Sequence, residues 1–304
     1  MAPSAFRPAY LADLALLLLL ATLWGASYTF IKLGIASIAP VTLIAGRTAI
    51  AVVALWGVMH WRGLAMPRSA SLWGRFLIQA CLNSVVPFTL IAWAEQSIDA
   101  GLATILNSSS PIFTFMLTLC FPGRHPATIR KLFGVVCGLI GICLIVGVEA
   151  LAGIGRELIA ELALVAATIC YAGAAIFGRH FQGLDPMVPA TGSLMCGAVV
   201  LIPMSMALEH PWTLVPTSTS VAALLALALL STALALTIYF RLLETLGPVG
   251  TTSQAFLRVP IGVGLGVMFL GEKLSPTTWM GFVCVIAGVA AMTLPSRRSV
   301  ATSS

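Results

Sequence analysis

Charged residues are scarce in this chain. Its 304 residues include 16 Lys and Arg and 10 Asp and Glu, which is 9% of the total, whereas 59% are hydrophobic. Soluble domains carry about 25% charged residues, so this composition excludes a soluble protein. The basic residues stand singly in short loops, so the net charge of +6 reflects membrane topology and not nucleic-acid binding. The composition predicts a polytopic membrane protein.

Paired cysteines and catalytic signatures are also missing. The seven cysteines lie inside apolar runs without any C-x-x-C pair, which favours small buried hydrophobes over disulfides or metal ligands. The sequence has no H-E-x-x-H, no G-x-S-x-G and no intramembrane aspartate pair. We therefore expect no catalytic residue, no metal and no cofactor, and an intramembrane enzyme is the most remote function class.

Long apolar runs fill the chain instead. A membrane helix needs about 20 predominantly apolar residues. This criterion predicts ten segments, approximately 12–34, 40–60, 73–94, 100–121, 129–148, 159–180, 187–208, 219–243, 249–270 and 277–294. The first resembles a signal peptide, but its apolar run continues to Ile31 without a clear cleavage site, so we interpret it as a membrane helix. The predicted fold class is an all-α membrane protein of ten transmembrane helices.

The basic residues predict the orientation of these helices. With the amino terminus inside, eleven Lys and Arg fall on the cytoplasmic side, and the opposite side holds only Lys32, Arg156 and Lys273. Cytoplasmic loops of membrane proteins carry the excess of Lys and Arg. Both termini are therefore predicted to be cytoplasmic.

The two halves of the chain repeat. Offsets of 147 to 149 residues pair Trp24 with Tyr171, Pro111 with Pro260, Gly134 with Gly281, Cys137 with Cys284, and Gly141 with Gly288. Five helices in each half require the second half to enter the membrane from the opposite side, so we predict inverted repeats over 1–148 and 149–304. Inverted repeats are typical of carriers that give alternating access to a site between the halves.

Polar and aromatic residues near mid-depth are the candidates for such a site. They are Trp24, Ser27, Tyr28, Asn83, Asn107, Ser108, Tyr171, Gln254 and Arg258. The two repeat-related aromatics either form opposing walls of a central cavity or pack as ordinary core residues. The amide of Asn83 either binds a ligand or bonds a neighbouring helix, and the serines next to Asn107 either line the cavity or repair backbone freed by Pro111.

Two prolines and two arginines complete the set of unusual membrane residues. Pro111 and Pro260 are predicted to bend their helices at similar depth, near the pseudo-twofold axis. Arg47 lies about a turn and a half from the outer end of its segment, which favours a structural cation that snorkels or caps a helix end. Arg258 is deeper, and its guanidinium suits a substrate carboxylate. We therefore expect Arg258 to bind substrate.

Acids and histidines are confined to loops and segment ends. A carrier coupled to protons or sodium usually keeps a carboxylate or an imidazole at mid-depth. Their peripheral position favours facilitated diffusion or exchange. A strict dependence of transport on a proton or sodium gradient would contradict this hypothesis.

Four segments carry a family resemblance. They are LWGASYTFIKLG at Leu23–Gly34, PVTLIAGR at Pro40–Arg47, SPIFTFML at Ser110–Leu117 and LGEKLSPTTWMGFVCVIAGV at Leu270–Val289. In this order they resemble EamA-type members of the drug/metabolite transporter superfamily, and the resemblance covers nearly the whole chain. By the family pattern, Arg47 is the common arginine of the second helix.

The resemblance implies a bacterial inner-membrane carrier with a central cavity between two five-helix repeats. Similar members export amino acids, aromatic ones among them, and related metabolites. An uptake permease or antiporter for nucleotide-like or sugar-conjugate metabolites is the alternative within transport, and a passive structural or regulatory membrane protein is a further class. The expected partners are a small-molecule substrate and the lipid bilayer, with no nucleic acid, and the expected unit is a monomer.

Overall fold

A computed structural model of the chain describes residues 8–94, 106–121, 127–146, 157–261 and 276–294, with the backbone alone at Pro8, Tyr28, Thr29, Lys32, Ala92 and Val146. Helices and turns account for its regular structure, and no strand occurs in these ranges. The prediction of an all-helical protein is thus confirmed. Glu95, Gly101 and residues 262–271, at the end of the predicted ninth segment, lie outside the described residues.

Twelve α-helices can be numbered in chain order. They are α1 Pro8–Gly34, α2 Pro40–Trp61, α3 Ala70–Ala80, α4 Val86–Ala94, α5 Ser110–Cys120, α6 Ile129–Val146, α7 Leu158–Phe177, α8 Met187–Leu208, α9 Ser218–Ala228, α10 Ala235–Thr245, α11 Gly247–Thr252 and α12 Pro276–Thr293. A further helical stretch covers 254–261. One π-helical turn, Cys81–Val85, joins α3 to α4, and another, Leu229–Leu234, joins α9 to α10.

Seven described helical stretches are long and apolar enough to cross a membrane. They are Ala9–Ser27, Pro40–Trp61, Ala70–Ile91, Leu158–Phe181, Met187–Leu208, Ser218–Thr245 and Pro276–Thr293. Each overlaps one of the predicted segments. The predicted fourth, fifth and ninth segments also contain described helix, in α5, α6 and α11 with 254–261. Ten spans, the inverted relation of the halves and the cytoplasmic termini stay predictions.

The helices expose apolar side chains and bury small polar ones. Val53, Val199 and Ile159 are 70%, 72% and 73% exposed, as side chains that face lipid tails would be. Thr48 and Thr168 are fully buried, and each hydroxyl donates to the carbonyl four residues earlier in its own helix. Hydroxyls satisfied in this way add no cost to packing between helices in an apolar medium.

Glycines let α6 and α12 approach closely. A Cβ added to Gly134 would lie 2.6 Å from the carbonyl oxygen of Gly288, and one added to Gly141 would lie 2.7 Å from that of Gly281. The predicted offset of 147 residues relates Gly134 to Gly281 and Gly141 to Gly288, so the repeat exchanges these two contacts. A twofold relation between the halves would produce this reciprocal contact, so the contact supports the predicted repeat.

The two π-helical turns occupy matching positions in the halves. They begin at Cys81 and Leu229, which are 148 residues apart. A π turn widens one turn of an α-helix and is found frequently at functional sites. In the second turn the hydroxyl of Thr232 donates to the carbonyl of Leu227, five residues earlier, at 2.8 Å.

A carboxylate ties the start of α2 to the end of α8. Glu209, directly after α8, accepts hydrogen bonds from the backbone N–H groups of Val41 at 3.0 Å and Thr42 at 2.7 Å, and from the Thr42 hydroxyl at 2.9 Å. The first N–H groups of a helix have no partner within the helix, and its N-terminal dipole favours an anion. Glu209 thus links the amino-terminal end of α2 to the carboxyl-terminal end of α8.

We expect Gly134→Ala to destabilise the protein. The added methyl group meets backbone atoms that have no rotamer to escape into, and overpacking of this kind costs about 1–3 kcal/mol. The measurement is thermal unfolding of purified protein, followed by size-exclusion chromatography with fluorescence detection. Gly57→Ala is the matched control because a Cβ there meets nothing within 4 Å. Equal midpoints for both variants would contradict the close packing of α6 on α12.

We also expect Glu209→Ala to lower the unfolding temperature. It leaves two part-buried N–H groups at the start of α2 without their acceptor, at a cost of about 1 kcal/mol or more. Glu209→Gln keeps one carbonyl oxygen and should lie between wild type and alanine. Thermal unfolding checks the order, and a wild-type midpoint for the alanine variant would show that the cap does not contribute.

Candidate functional site

The helices surround a cavity of about 840 Å³, counted with the part that is open to solvent. Its wall is drawn from both halves of the chain. The lining residues are Trp24, Ser27, Ile31, Arg47, Asn83, Phe88, Ile91, Asn107, Ser110, Tyr171, Ser231, Thr232, Leu236, Tyr239, Thr252, Gln254, Ala255 and Arg258.

Seven of the nine predicted site residues line this cavity: Trp24, Ser27, Asn83, Asn107, Tyr171, Gln254 and Arg258. Ser108 is buried, only 4% exposed, and is not among the lining residues. The side chain of Tyr28 lies outside the described residues. The structure therefore brings most of the candidates together, and their role in binding stays a prediction.

Arg258 lies in the wall on the helical stretch 254–261. Its Nε donates to the amide oxygen of Gln254, one turn earlier, at 2.8 Å. Its guanidinium carbon lies 5.2 Å from the centre of the Trp24 ring, within the range of a cation–π contact. Gln254, Arg258 and Trp24 thus form a connected cluster that links this stretch to the first helix.

Trp24 and the second π turn hold each other in place. The indole N–H donates to the carbonyl of Ser231 at 3.1 Å, and the Ser231 hydroxyl donates to the carbonyl of Leu23 at 2.7 Å. The ring of Tyr239 lies 5.5 Å from that of Trp24. This reciprocal pair of bonds fixes an aromatic wall whose orientation does not depend on bound solute.

Arg47 lies in the wall of the same cavity. It is 3% exposed, its Nε donates to the Thr232 hydroxyl at 3.0 Å, and its guanidinium stacks 4.4 Å from the centre of the Phe88 ring. Its assignment as a structural cation stays a prediction.

Breaks in two helices lie close to the predicted prolines but are not centred on them. In the fourth segment a turn at Ser108 and Ser109 precedes α5, which places Pro111 in the first turn of that helix, where no N–H is needed. In the ninth segment the turn lies at Ser253, seven residues before Pro260. The described part of that helix continues through Pro260 to residue 261, so the break recorded there is not a proline bend.

Sequence reasoning missed several lining residues. Phe88 gave no signal because an aromatic residue in an apolar run is ordinary, and Tyr239 stands near the end of its predicted segment, 219–243, and not at mid-depth. Ser231 and Thr232 were missed because the π turn that aims them inwards has no mark in the sequence. The one available signal was that Ser231 and Thr232 lie 148 and 149 residues after Asn83, which are offsets of the predicted repeat.

The described polar groups of this wall are donors and acceptors of hydrogen bonds. They are hydroxyls, amides and two guanidinium groups, and no Asp or Glu is among them. Within the described ranges no three His, Cys, Asp or Glu residues cluster as metal ligands would. The wall is thus positively charged, with aromatic faces beside each cation.

Known proteins resemble this chain over nearly its full length. The EamA-like transporter family matches residues 12–147 and again 158–294. An uncharacterized inner membrane transporter of Escherichia coli strain K12, YedA, is 26% identical over 274 residues, 90% of this chain and 87% of that protein. An uncharacterized transporter of Bacillus subtilis, YoaV, is 26% identical over 281 residues, covering 91% and 96%.

Two further comparisons concern a named substrate and the fold. A protein of Streptantibioticus cattleyicolor named a probable terminal-alkyne amino-acid exporter is 25% identical over 291 residues, 94% of this chain and 96% of that protein. A solved crystal structure superposes with a TM-score of 0.79 at 15% identity, covering 94% of this chain and 99% of the other. That likeness is one of fold alone.

The family model matches each half of the helical fold, and the two matches together cover most of the chain. The protein therefore belongs to the EamA-like transporter family and is a multi-pass membrane transporter.

Proposed function

We propose that this transporter is an inner-membrane carrier that exports amino acids, aromatic ones among them, or related small metabolites. In this proposal both termini are cytoplasmic, residues 1–148 and 149–304 form inverted five-helix repeats, and the solute crosses by alternating access. Movement is by facilitated diffusion or exchange. A monomer suffices, because a single chain supplies the wall of the cavity.

The observation that carries the proposal is the chemistry of the cavity wall. Arg47 and Arg258 supply positive charge, and no described lining residue supplies a carboxylate. The rings of Trp24, Tyr171 and Tyr239 supply flat apolar surface beside those charges. An amino acid with an aromatic side chain presents a carboxylate and a ring in one small molecule, so it matches both features.

Contacts between the halves support alternating access. The reciprocal glycine contacts of α6 and α12 and the matched π turns are what a twofold relation would produce. In inverted repeats the site lies between halves that exchange conformations. The cavity draws its wall from both halves, as such a site requires.

The name of one relative supports the substrate class. The Streptantibioticus cattleyicolor protein is named an exporter of an amino acid, and it aligns with 94% of this chain. The Escherichia coli relative is named an inner membrane transporter, which supports the same location here. At about a quarter identity these names support the class of solute and no particular amino acid.

A second candidate function is suggested by the two arginines. An uptake permease or antiporter for nucleotide-like or sugar-conjugate metabolites would call for more than one or two cations around a phosphate group. Arg47 and Arg258 both line the cavity. Nucleotide-like solutes therefore belong in the same transport assay.

Flux through liposomes tests the proposed function. Purified full-length protein is reconstituted, and entry of radiolabelled amino acids, amines, nucleosides and a sugar nucleotide is measured with and without proton and sodium gradients. We expect saturable flux of at least one amino acid, with no strict need for a gradient. Flux of the sugar nucleotide alone would favour the second candidate, and flux of no amino acid would contradict the first.

Arg258→Ala should reduce transport of a carboxylate-bearing solute by about tenfold or more, since a charge-assisted hydrogen bond contributes about 1.5–3 kcal/mol. The yield of folded protein should change much less. The matched control is Arg68→Ala, which removes an exposed cation distant from the cavity wall. Equal flux in the two variants, measured with equal amounts of reconstituted protein, would show that Arg258 does not bind the solute.

A further inference from the structure

Arg47 is the most deeply buried cation of the cavity wall. It lies on α2, seven residues after Pro40, and only 3% of its side chain is exposed. Guanidinium stays protonated in proteins, so the side chain carries its full charge there. A buried charge is costly unless something compensates it.

The protein orients this guanidinium with two neutral groups. Thr232 accepts the Nε–H at 3.0 Å and is itself fixed by its bond to the Leu227 carbonyl. Phe88 lies beneath the guanidinium plane at 4.4 Å. These contacts fix the plane and the direction of the side chain, but neither brings a negative charge.

The two terminal nitrogens of Arg47 are left for another partner. Guanidinium has five N–H donors, and in the described part of the chain only the Nε–H of Arg47 has an acceptor. The ion pairs recorded there, Arg62 with Asp185 and Arg241 with Asp13, involve other residues. The fork of terminal N–H groups is the part of guanidinium that matches a carboxylate with two parallel bonds.

We propose that Arg47 binds the carboxylate of the transported solute and determines specificity for it, with Thr232 and Phe88 as positioning residues. This proposal rests on the proposed function, which supplies the identity of the solute. It gives Arg47 a role in binding, whereas its place in the sequence favours a structural cation. Helix α2, and not only the helix of Arg258, then contributes a cation to substrate recognition. Solutes that keep the ring and lose the acid are bound weakly.

The test compares an acid with its neutral counterpart. The amino acid with the fastest flux and its carboxamide are titrated calorimetrically into purified full-length protein, wild type and Arg47→Gln. The ratio of the two dissociation constants, amide over acid, is the readout. We expect Arg47→Gln to lower this ratio by about tenfold, because it removes charge-assisted bonds that only the acid makes.

Other variants separate binding from folding. Thr232→Val keeps the charge of Arg47 and removes the acceptor of its Nε–H, so it should lower the ratio several-fold. Arg47→Lys keeps a charge without the fork and should lie between wild type and glutamine. Arg68→Gln is the matched control and should keep the wild-type ratio. If Arg47→Gln does not fold, the ratio of dissociation constants measured for Arg47→Lys and Thr232→Val tests the role of Arg47.

The outcomes distinguish this proposal from the proposed function. Amino-acid flux together with an unchanged ratio in the Arg47 and Thr232 variants would overturn the role of Arg47 and leave the carrier intact. No amino-acid flux in wild type would contradict the proposed function instead. In that case benzoate and benzamide replace the two ligands, and wild-type protein that binds both equally would overturn the role of Arg47.

Discussion

A charge buried in a membrane protein must be compensated inside the protein, and the cavity is organised around two such charges. Arg47 and Arg258 each use Nε for an uncharged oxygen and each lie over an aromatic ring. Those contacts orient a guanidinium and offset part of its lost hydration. The same arrangement occurs at both arginines, on helices from different halves, and no described lining residue is an Asp or Glu.

The apolar surroundings also explain how the helices are held together. Hydrophobicity alone does not drive helices together in lipid, so close backbone contact and satisfied polar groups must do so. The glycine contacts of α6 with α12 and the Glu209 cap between α8 and α2 serve those two purposes. Both lie away from the cavity wall, so the site residues do not have to supply the stability of the fold.

Sequence reasoning predicted the parts of this protein that depend on local composition. Apolar runs of about 20 residues predict helices because the bilayer fixes their length, and the described helices fall where those runs lie. Trp24, Gln254 and Arg258 were found because a polar or amphipathic residue at mid-depth is conspicuous. Ser108 was a candidate by depth, but it is buried in the turn at Ser108 and Ser109 and does not line the cavity.

What sequence reasoning missed depends on contacts between segments. Arg47 was assigned from its distance to a helix end, yet its surroundings are set by Thr232, which is 185 residues away in the chain. A run of Leu, Ala, Ser and Thr does not show in its sequence which of its turns is π-helical. The position of Thr232 depends on that turn, and so does the direction of the Arg47 fork.

The polar groups of the cavity are concentrated where helices are irregular. Asn83 and Thr232 lie in the two π turns, and Asn107 and Gln254 flank the turns that interrupt the fourth and ninth segments. Backbone hydrogen bonding at such places differs from that of a regular helix, so rearrangement there costs less than breaking a continuous ladder. In the proposed function, a solute bound to these side chains would contact the chain where its helices are least regular. Binding and conformational change would then act on the same few turns, which is the coupling that an alternating-access carrier requires.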